Sequence, residues 1–237
     1  MASSVARAEN AFVTVDPATA VTPTYAAEFN TTGNFNGWTP NAGITSATVS
    51  AGILTGTSTS NDPWIQISNL ANGPDLDLGF NDYLEIRLRL PATYAGNVEL
   101  YFGVTDAGVA AQTGFSGSRS VTMPNAVIPK DGNFHTYRIN LGPVPMWRGY
   151  LNDLRIDPAT VSGTSFEIDF IRVGDDATEV YQRNTMDFAD NGVYEMSSKH
   201  FRFLWNADRE LTFGMNAAWA RKNLRNAEEA WQVFVHR

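Results

Sequence analysis

The run Phe166-Glu167-Ile168-Asp169-Phe170-Ile171-Arg172-Val173 alternates large apolar with charged side chains and stops at Gly174-Asp175-Asp176. A period of two sends successive side chains to opposite faces of a strand, so such a run fits a strand with one buried face and fits no helix. It reads as the closing strand of an all-β domain. The chain before it has the rhythm of a sandwich, with runs of roughly five to eight residues separated by Gly, Pro, Asn and Asp clusters.

The strongest of these runs are Tyr83–Leu90 and Asn97–Val104. In the first, Leu84, Ile86, Leu88 and Leu90 share one face against Tyr83, Glu85, Arg87 and Arg89. In the second, Val98, Leu100, Phe102 and Val104 oppose Glu99 and Tyr101. Ile44–Val49 and Ile53–Ser58 flank Ser50-Ala51-Gly52 as a hairpin. Trp64–Ser68, Arg119–Met123, Phe134–Leu141 and Leu151–Ile156 supply further strands. No helical periodicity occurs before residue 175. The expected fold is therefore mainly β, a jelly-roll β-sandwich with a C-terminal strand-plus-helix extension.

Residues 1–23 are small and polar, with Pro17 and Pro23, and read as a tail or linker holding at most a strand at Ala11–Val15. The sandwich spans 24–175. Residues 176–237 form an α+β segment: a strand at 197–205, then a helix at Asn216–Val235. On that helix Ala217, Ala220, Leu224, Ala227, Trp231 and Phe234 make one apolar stripe, with Arg221, Lys222, Arg225 and Glu228 opposite. One strand and one helix can hardly bury that stripe alone. Either the helix packs on the β domain, or 176–237 is the opening of a second, incomplete domain, which is the favoured expectation.

Composition narrows the function. The net charge is −8, with 17 Lys plus Arg against 25 Asp plus Glu. That is the wrong sign for coating nucleic acid or anionic lipid. The absence of cysteine excludes disulfides, thiolate metal sites and a Cys nucleophile. No run approaches the ~18 apolar residues of a membrane helix, so no membrane insertion is expected. The first eight residues lack the charged and apolar regions of an intact signal peptide. His135, His200 and His236 lie in separate elements, and neither His-Glu-x-x-His nor Gly-x-Ser-x-Gly occurs. No catalytic residue is assigned.

Three pieces carry a resemblance. They are Glu28-Phe29-Asn30 with Gly37-Trp38, the run Asp131–Leu141, and Trp147-Arg148-Gly149 followed by Leu154-Arg155-Ile156-Asp157-Pro158 and Phe166–Val173. In this order they resemble the jelly-roll domains attached to secreted bacterial polysaccharide-active enzymes and surface proteins, the carbohydrate-binding-module or galactose-binding-like superfamily. The resemblance covers residues 24–175. It implies a secreted or cell-surface, non-catalytic module that recognises a polysaccharide or glycan. It also implies that Trp38 and Trp147 plug the core, and that a structural Ca²⁺ sits between the first and last strands. The donors placed like its ligands are Glu28, Asn30 and Asp169, with Asp175 and Asp176 as lesser candidates. Strict alternation with Phe166, Ile168 and Phe170 would instead turn Asp169 to solvent. Ser197–Asn206 with its helix resembles the opening of a secreted domain whose relatives often look like metallopeptidases.

Sugar rings stack C–H faces on Trp or Tyr and satisfy their hydroxyls with planar polar groups. The outward strand faces offer Trp64, Gln66, Tyr83, Arg87, Tyr101 and Arg138 for this, with Glu85, Glu99 and Asn140 near them. If the strands are neighbours, these residues make a glycan groove; otherwise they form a solvated sheet face laced with Arg–Glu pairs. Two competing readings remain open: a structural or self-associating extracellular protein that uses the helix stripe, and a truncated secreted hydrolase.

Overall fold

The computed structural model describes residues 11–70, 76, 78, 81–106, 109–112, 114–142, 144, 146, 147, 149–176, 183–188, 191–197, 200–206 and 217–235. Two antiparallel sheets form a jelly-roll β-sandwich. The seven-stranded sheet runs β1 (Phe12–Val15), β11 (Phe134–Asn140), β7 (Tyr83–Arg89), β13 (Ser165–Asp176), β5 (Ile53–Ser58) and β4 (Ile44–Ser50), with β2 (Val21–Ala27) also paired to β13. The six-stranded sheet runs β10 (Ser120–Met123), β8 (Val98–Asp106), β12 (Tyr150–Asp157), β6 (Ile65–Ile67) and β3 (Thr39–Pro40), with β9 (Val109–Gln112) on β8.

The chain crosses between sheets as it goes, so apolar faces from both meet in one core. Leu84, Ile86 and Leu88 come from β7, Leu100 and Phe102 from β8, Ile156 from β12, and Ile168, Ile171 and Val173 from β13. The expected alternation of β7 and β8 is what makes this possible. Trp147 meets Phe102 edge to face at 5.0 Å, and its indole N–H donates to the Asn81 carbonyl at 2.9 Å. Trp38 is equally buried and donates to Tyr25 Oη at 2.8 Å. Both tryptophans thus fill the core, as expected. In the β4–β5 hairpin, Ala51 (φ 53°) and Gly52 (φ 82°) are both left-handed, the pairing that a two-residue turn needs to match strand twist.

Strand β13 is last in sequence but lies inside its sheet, with β7 on one side and β5 and β2 on the other. Its alternation breaks at Asp169. The register against β7 slips between Ile168 and Phe170, so Asp169 is the extra residue of a bulge. Phe166 and Ile168 face the core before it, and Ile171 and Val173 after it. Phe170 therefore turns to the outer side with Arg172, whose guanidinium lies 3.8 Å from its ring centre. Strict alternation places Phe170 on the core face with Phe166 and Ile168; the bulge puts it on the opposite side of the sheet, where it is still buried.

Gly174 does not end the strand. A Cβ there would collide with the Thr22 carbonyl oxygen, so the glycine admits close approach of β2. The segment read as a tail holds β1, paired with β11, and β2, paired with β13. Pro23 is tolerated because β2 hydrogen-bonds on one side only, among the described residues.

Beyond the sandwich, β14 (Arg183–Phe188), β15 (Asn191–Ser197) and β16 (Arg202–Asn206) form a three-stranded sheet. The helix α1 (Ala217–Val235) packs on it, burying Ala220 and Leu224 with Trp205, and Phe201, Phe203 and the helix's own Trp219 pack against this cluster. The expected strand supplies the residues that cover the helix, and two strands that the sequence pattern did not reveal, β14 and β15, extend its sheet. Burial covers only part of the stripe, since Trp231 and Phe234 stay 40% and 80% exposed. Glu228, expected on the solvent face, is buried; it accepts the His200 backbone N–H at 2.8 Å and meets His200 Nδ1 at 2.7 Å. The side chains of Arg221, Lys222 and Arg225, and His236 itself, lie outside the described residues. No described helix is long and apolar enough to cross a membrane.

Candidate functional site

The six expected binding residues fall on two different surfaces. Trp64, Gln66 and Tyr101 lie on the outer side of the six-stranded sheet. Tyr83, Arg87 and Arg138 lie on the outer side of the seven-stranded sheet, with the shared core between. A single groove that uses all six does not exist. Each strand was read correctly as two-faced, but β7 and β8 belong to different sheets, so their polar faces point in opposite directions.

On the six-stranded sheet the register sets one row across five strands: Ser120, Tyr101, Arg155, Gln66 and Thr39. With strands about 4.8 Å apart, the row spans roughly 19 Å. Arg155 lies in its middle. Its guanidinium is 4.8 Å from the Tyr101 ring centre and 5.5 Å from that of Trp64, which immediately precedes β6. Arg155 Nε and one terminal nitrogen donate to the two oxygens of Asp157 at 2.7 Å each, and the guanidinium also pairs with Asp62. Tyr101 donates to Glu99 Oε2 at 2.8 Å. The result is a partly exposed array of two aromatic rings, one fixed guanidinium, one amide and three carboxylates.

The electrostatics follow from burial. Asp157 is 1% exposed, and loss of hydration pushes its carboxyl up to about 6, although Arg155 pulls the other way. Burial and the hydrogen bond to Glu99 hold the Tyr101 hydroxyl far above its usual range, so it stays a neutral donor. Arg155 was part of the motif Leu154–Pro158 but was not among the expected binding residues. Its signal was the outward parity of Asp153, Arg155 and Asp157 on β12.

On the seven-stranded sheet charges are paired in rows. Glu85 is buried beside Arg138, which donates through Nε at 2.8 Å and stacks 5.6 Å from the Tyr83 ring centre. Arg87 pairs with Asp169, and Arg89 with Glu167. Both arginines also lie over Phe134. This face is the laced arrangement weighed against a groove.

Two of the three expected calcium donors have other partners. Glu28 binds Arg172 at 2.7 and 3.1 Å, and Asp169 binds Arg87. β2 ends at Ala27, and Phe29 turns left-handed (φ 49°), so Asn30 leaves the strand and is exposed. No group of three His, Cys, Asp or Glu side chains among the described residues is placed to hold a metal. Two guanidinium groups occupy the carboxylates that a cation would need, so this donor set does not fit Ca²⁺ as arranged. The side chains of Asp175 and Asp176 lie outside the described residues.

No family model matches the chain, and no curated protein matches it. Solved structures do match. The chain is similar to a family 29 carbohydrate-binding module over 76% of its own length and 98% of that chain, at 16% identity and a TM-score of 0.40. It is similar to a xylan-binding domain from Paenibacillus barcinonensis over 68% and 100%, at 16% identity and a TM-score of 0.36. It is also similar to a carbohydrate esterase from Shiga toxin-encoding bacteriophage phi24B over 67% and 100%, at 14% identity and a TM-score of 0.38.

Proposed function

We propose that this protein is a non-catalytic polysaccharide-binding module that acts through the outer face of the six-stranded sheet, outside the cell or on its surface. The observation that carries this reading is the Tyr101–Arg155–Trp64 cluster, with its guanidinium set between two rings. Sugar C–H faces would lie against Trp64 and Tyr101, and hydroxyls would bond Arg155, Gln66, Glu99 and Asp62. A row of about 19 Å is longer than one sugar ring, which favours a chain over a monosaccharide. Asp157 is a positioning residue, because it fixes Arg155. Affinity electrophoresis against a broad panel of neutral plant and microbial polysaccharides tests the reading. Retardation by at least one polymer, lost in Arg155→Ala with the fold retained, supports it; no retardation by any polymer overturns it.

One observation favours a second reading. Trp231 and Phe234 are exposed on α1, next to a His200 ring stacked 4.9 Å from Trp231. Self-association through this helix would cover them. Light scattering that shows an oligomer, dissociated by Phe234→Ser, supports that reading; a monomer counts against it.

A further inference from the structure

The outer face of the seven-stranded sheet is not wholly open. The segment joining β1 to β2, residues 16–20, crosses it and leaves a cleft of about 390 Å³ beneath. The strap is pinned at both ends. Asp16 is left-handed (φ 49°); its backbone N–H donates to the Thr136 carbonyl at 2.7 Å, and its carboxylate accepts the Thr136 N–H at 2.9 Å. His135 Nδ1 holds the other carboxylate oxygen at 2.6 Å. Further along, Arg138 donates to the Thr19 carbonyl.

The chamber under the strap is lined by Glu85 and Arg87 from β7, Thr136 from β11, Phe170 and Arg172 from β13, and Asp16. Its size falls within the ~300–1,000 Å³ range of small-molecule sites. The walls carry two guanidinium groups and two carboxylates, so their charges balance. A charged ligand would meet its own sign on one wall. An apolar one would displace water from these groups, each already held by a partner, and would offer nothing to their remaining donors and acceptors. An uncharged ligand with many hydroxyls both donates and accepts, and it satisfies both kinds of wall.

We infer that this cleft is a second ligand site, for a single neutral sugar unit, on the side of the sandwich opposite the Trp64–Tyr101 face. It is separate in residues and in surface from the polysaccharide site proposed above, and it stands without it. The bulge at Asp169 is what builds it, because only the slipped register brings Phe170 and Arg172 to this side together.

The test is nuclear magnetic resonance titration of the full chain carrying Trp64→Ala, which removes the aromatic face from the readout. Glucose, xylose and galactose are the neutral probes, and glucuronate and glucosamine the charged ones. The inference expects saturable shifts of the Ala18, Thr19, Ala20 and Thr136 amides with at least one neutral sugar. Binding should weaken by about tenfold or more in Arg87→Met, which keeps the stem and removes the hydrogen-bonding fork. It should be blocked in Ala18→Trp, which fills the cleft from an exposed position without removing an ion pair. Absence of saturable shifts with all three neutral sugars overturns it, as do equal responses to the charged probes. Undiminished shifts in a folded Ala18→Trp also overturn it. Polysaccharide retardation of the wild-type chain reads the first site independently.

Discussion

Asp157 grips Arg155 through two hydrogen bonds of 2.7 Å, one from Nε and one from a terminal nitrogen. The pair is mostly withdrawn from water, and the carboxyl is pushed up to about 6 from 3.8. Above that value the carboxylate is charged and Arg155 is held between its rings; below it, one acceptor is lost. Polysaccharide affinity should therefore rise as pH passes upward through about 6, and Asp157→Asn should give a flat, weak profile. The stability sign is opposite. A raised folded value means this group favours the fold below about 4 and loses that contribution as pH climbs through about 6. Calorimetric titrations from pH 4.5 to 8 check the binding profile.

His135 is clasped on both ring nitrogens, by Asp16 at 2.6 Å and Asp131 at 3.0 Å. Burial alone would lower its pKa, but the two carboxylates outweigh burial and raise it above 6.5. Its contribution is thus full below 6.5 and lost as pH rises through the raised value. Asp16 is lowered, chiefly by its hydrogen bond from His135, and Asp131 is drawn to about 2, chiefly by the Asn133 N–H, so both contribute above 3.8. The clasp is strongest between about pH 4 and 6.5, and its exposure to solvent keeps its contribution small. The melting-temperature difference between wild type and His135→Gln should peak near pH 5 and shrink above pH 7. A constant difference across that range would contradict the clasp.

Gly174→Ala puts a methyl group into the Thr22 carbonyl oxygen, and backbone cannot swing aside as a side chain can. The cost should be about 1–3 kcal/mol, read as a lower urea midpoint. Gly33→Ala is the comparison. It has open space around it, and the strain lies only in its left-handed φ of 78°, so it should cost about 1 kcal/mol.

Calcium bracing through Glu28, Asn30 and Asp169 would require Arg172 and Arg87 to release their carboxylates. Thermal unfolding in millimolar calcium and in chelator should therefore coincide. A melting temperature several degrees higher in calcium would restore the metal.

Period-two alternation identified the strands, because side-chain parity is a local property of the backbone. That was enough for β7, β8, β11 and the β4–β5 hairpin, whereas the core roles of Trp38 and Trp147 were what the resemblance implied. Which strands share a sheet is not local. Tyr83 and Tyr101 look alike in sequence, yet they lie on opposite sides of the sandwich. A bulge is equally silent: nothing in Ile168-Asp169-Phe170 announces that Phe170 turns outward. Gly174 and Pro23 read as punctuation, although each serves pairing of β2 with β13. Arg155 was visible as an outward residue, but its role depended on neighbours that only the register supplies.

The measurement that bears most directly on the account is calorimetric titration of the best-retained neutral polysaccharide into Trp64→Ala, Tyr101→Ala and Tyr83→Ala. The first two variants alter the six-stranded face, and the third alters the opposite one. Trp64→Ala and Tyr101→Ala should each lose about tenfold or more in affinity, with Tyr83→Ala close to wild type. Full binding in Trp64→Ala and Tyr101→Ala, with loss in Tyr83→Ala, would contradict the account.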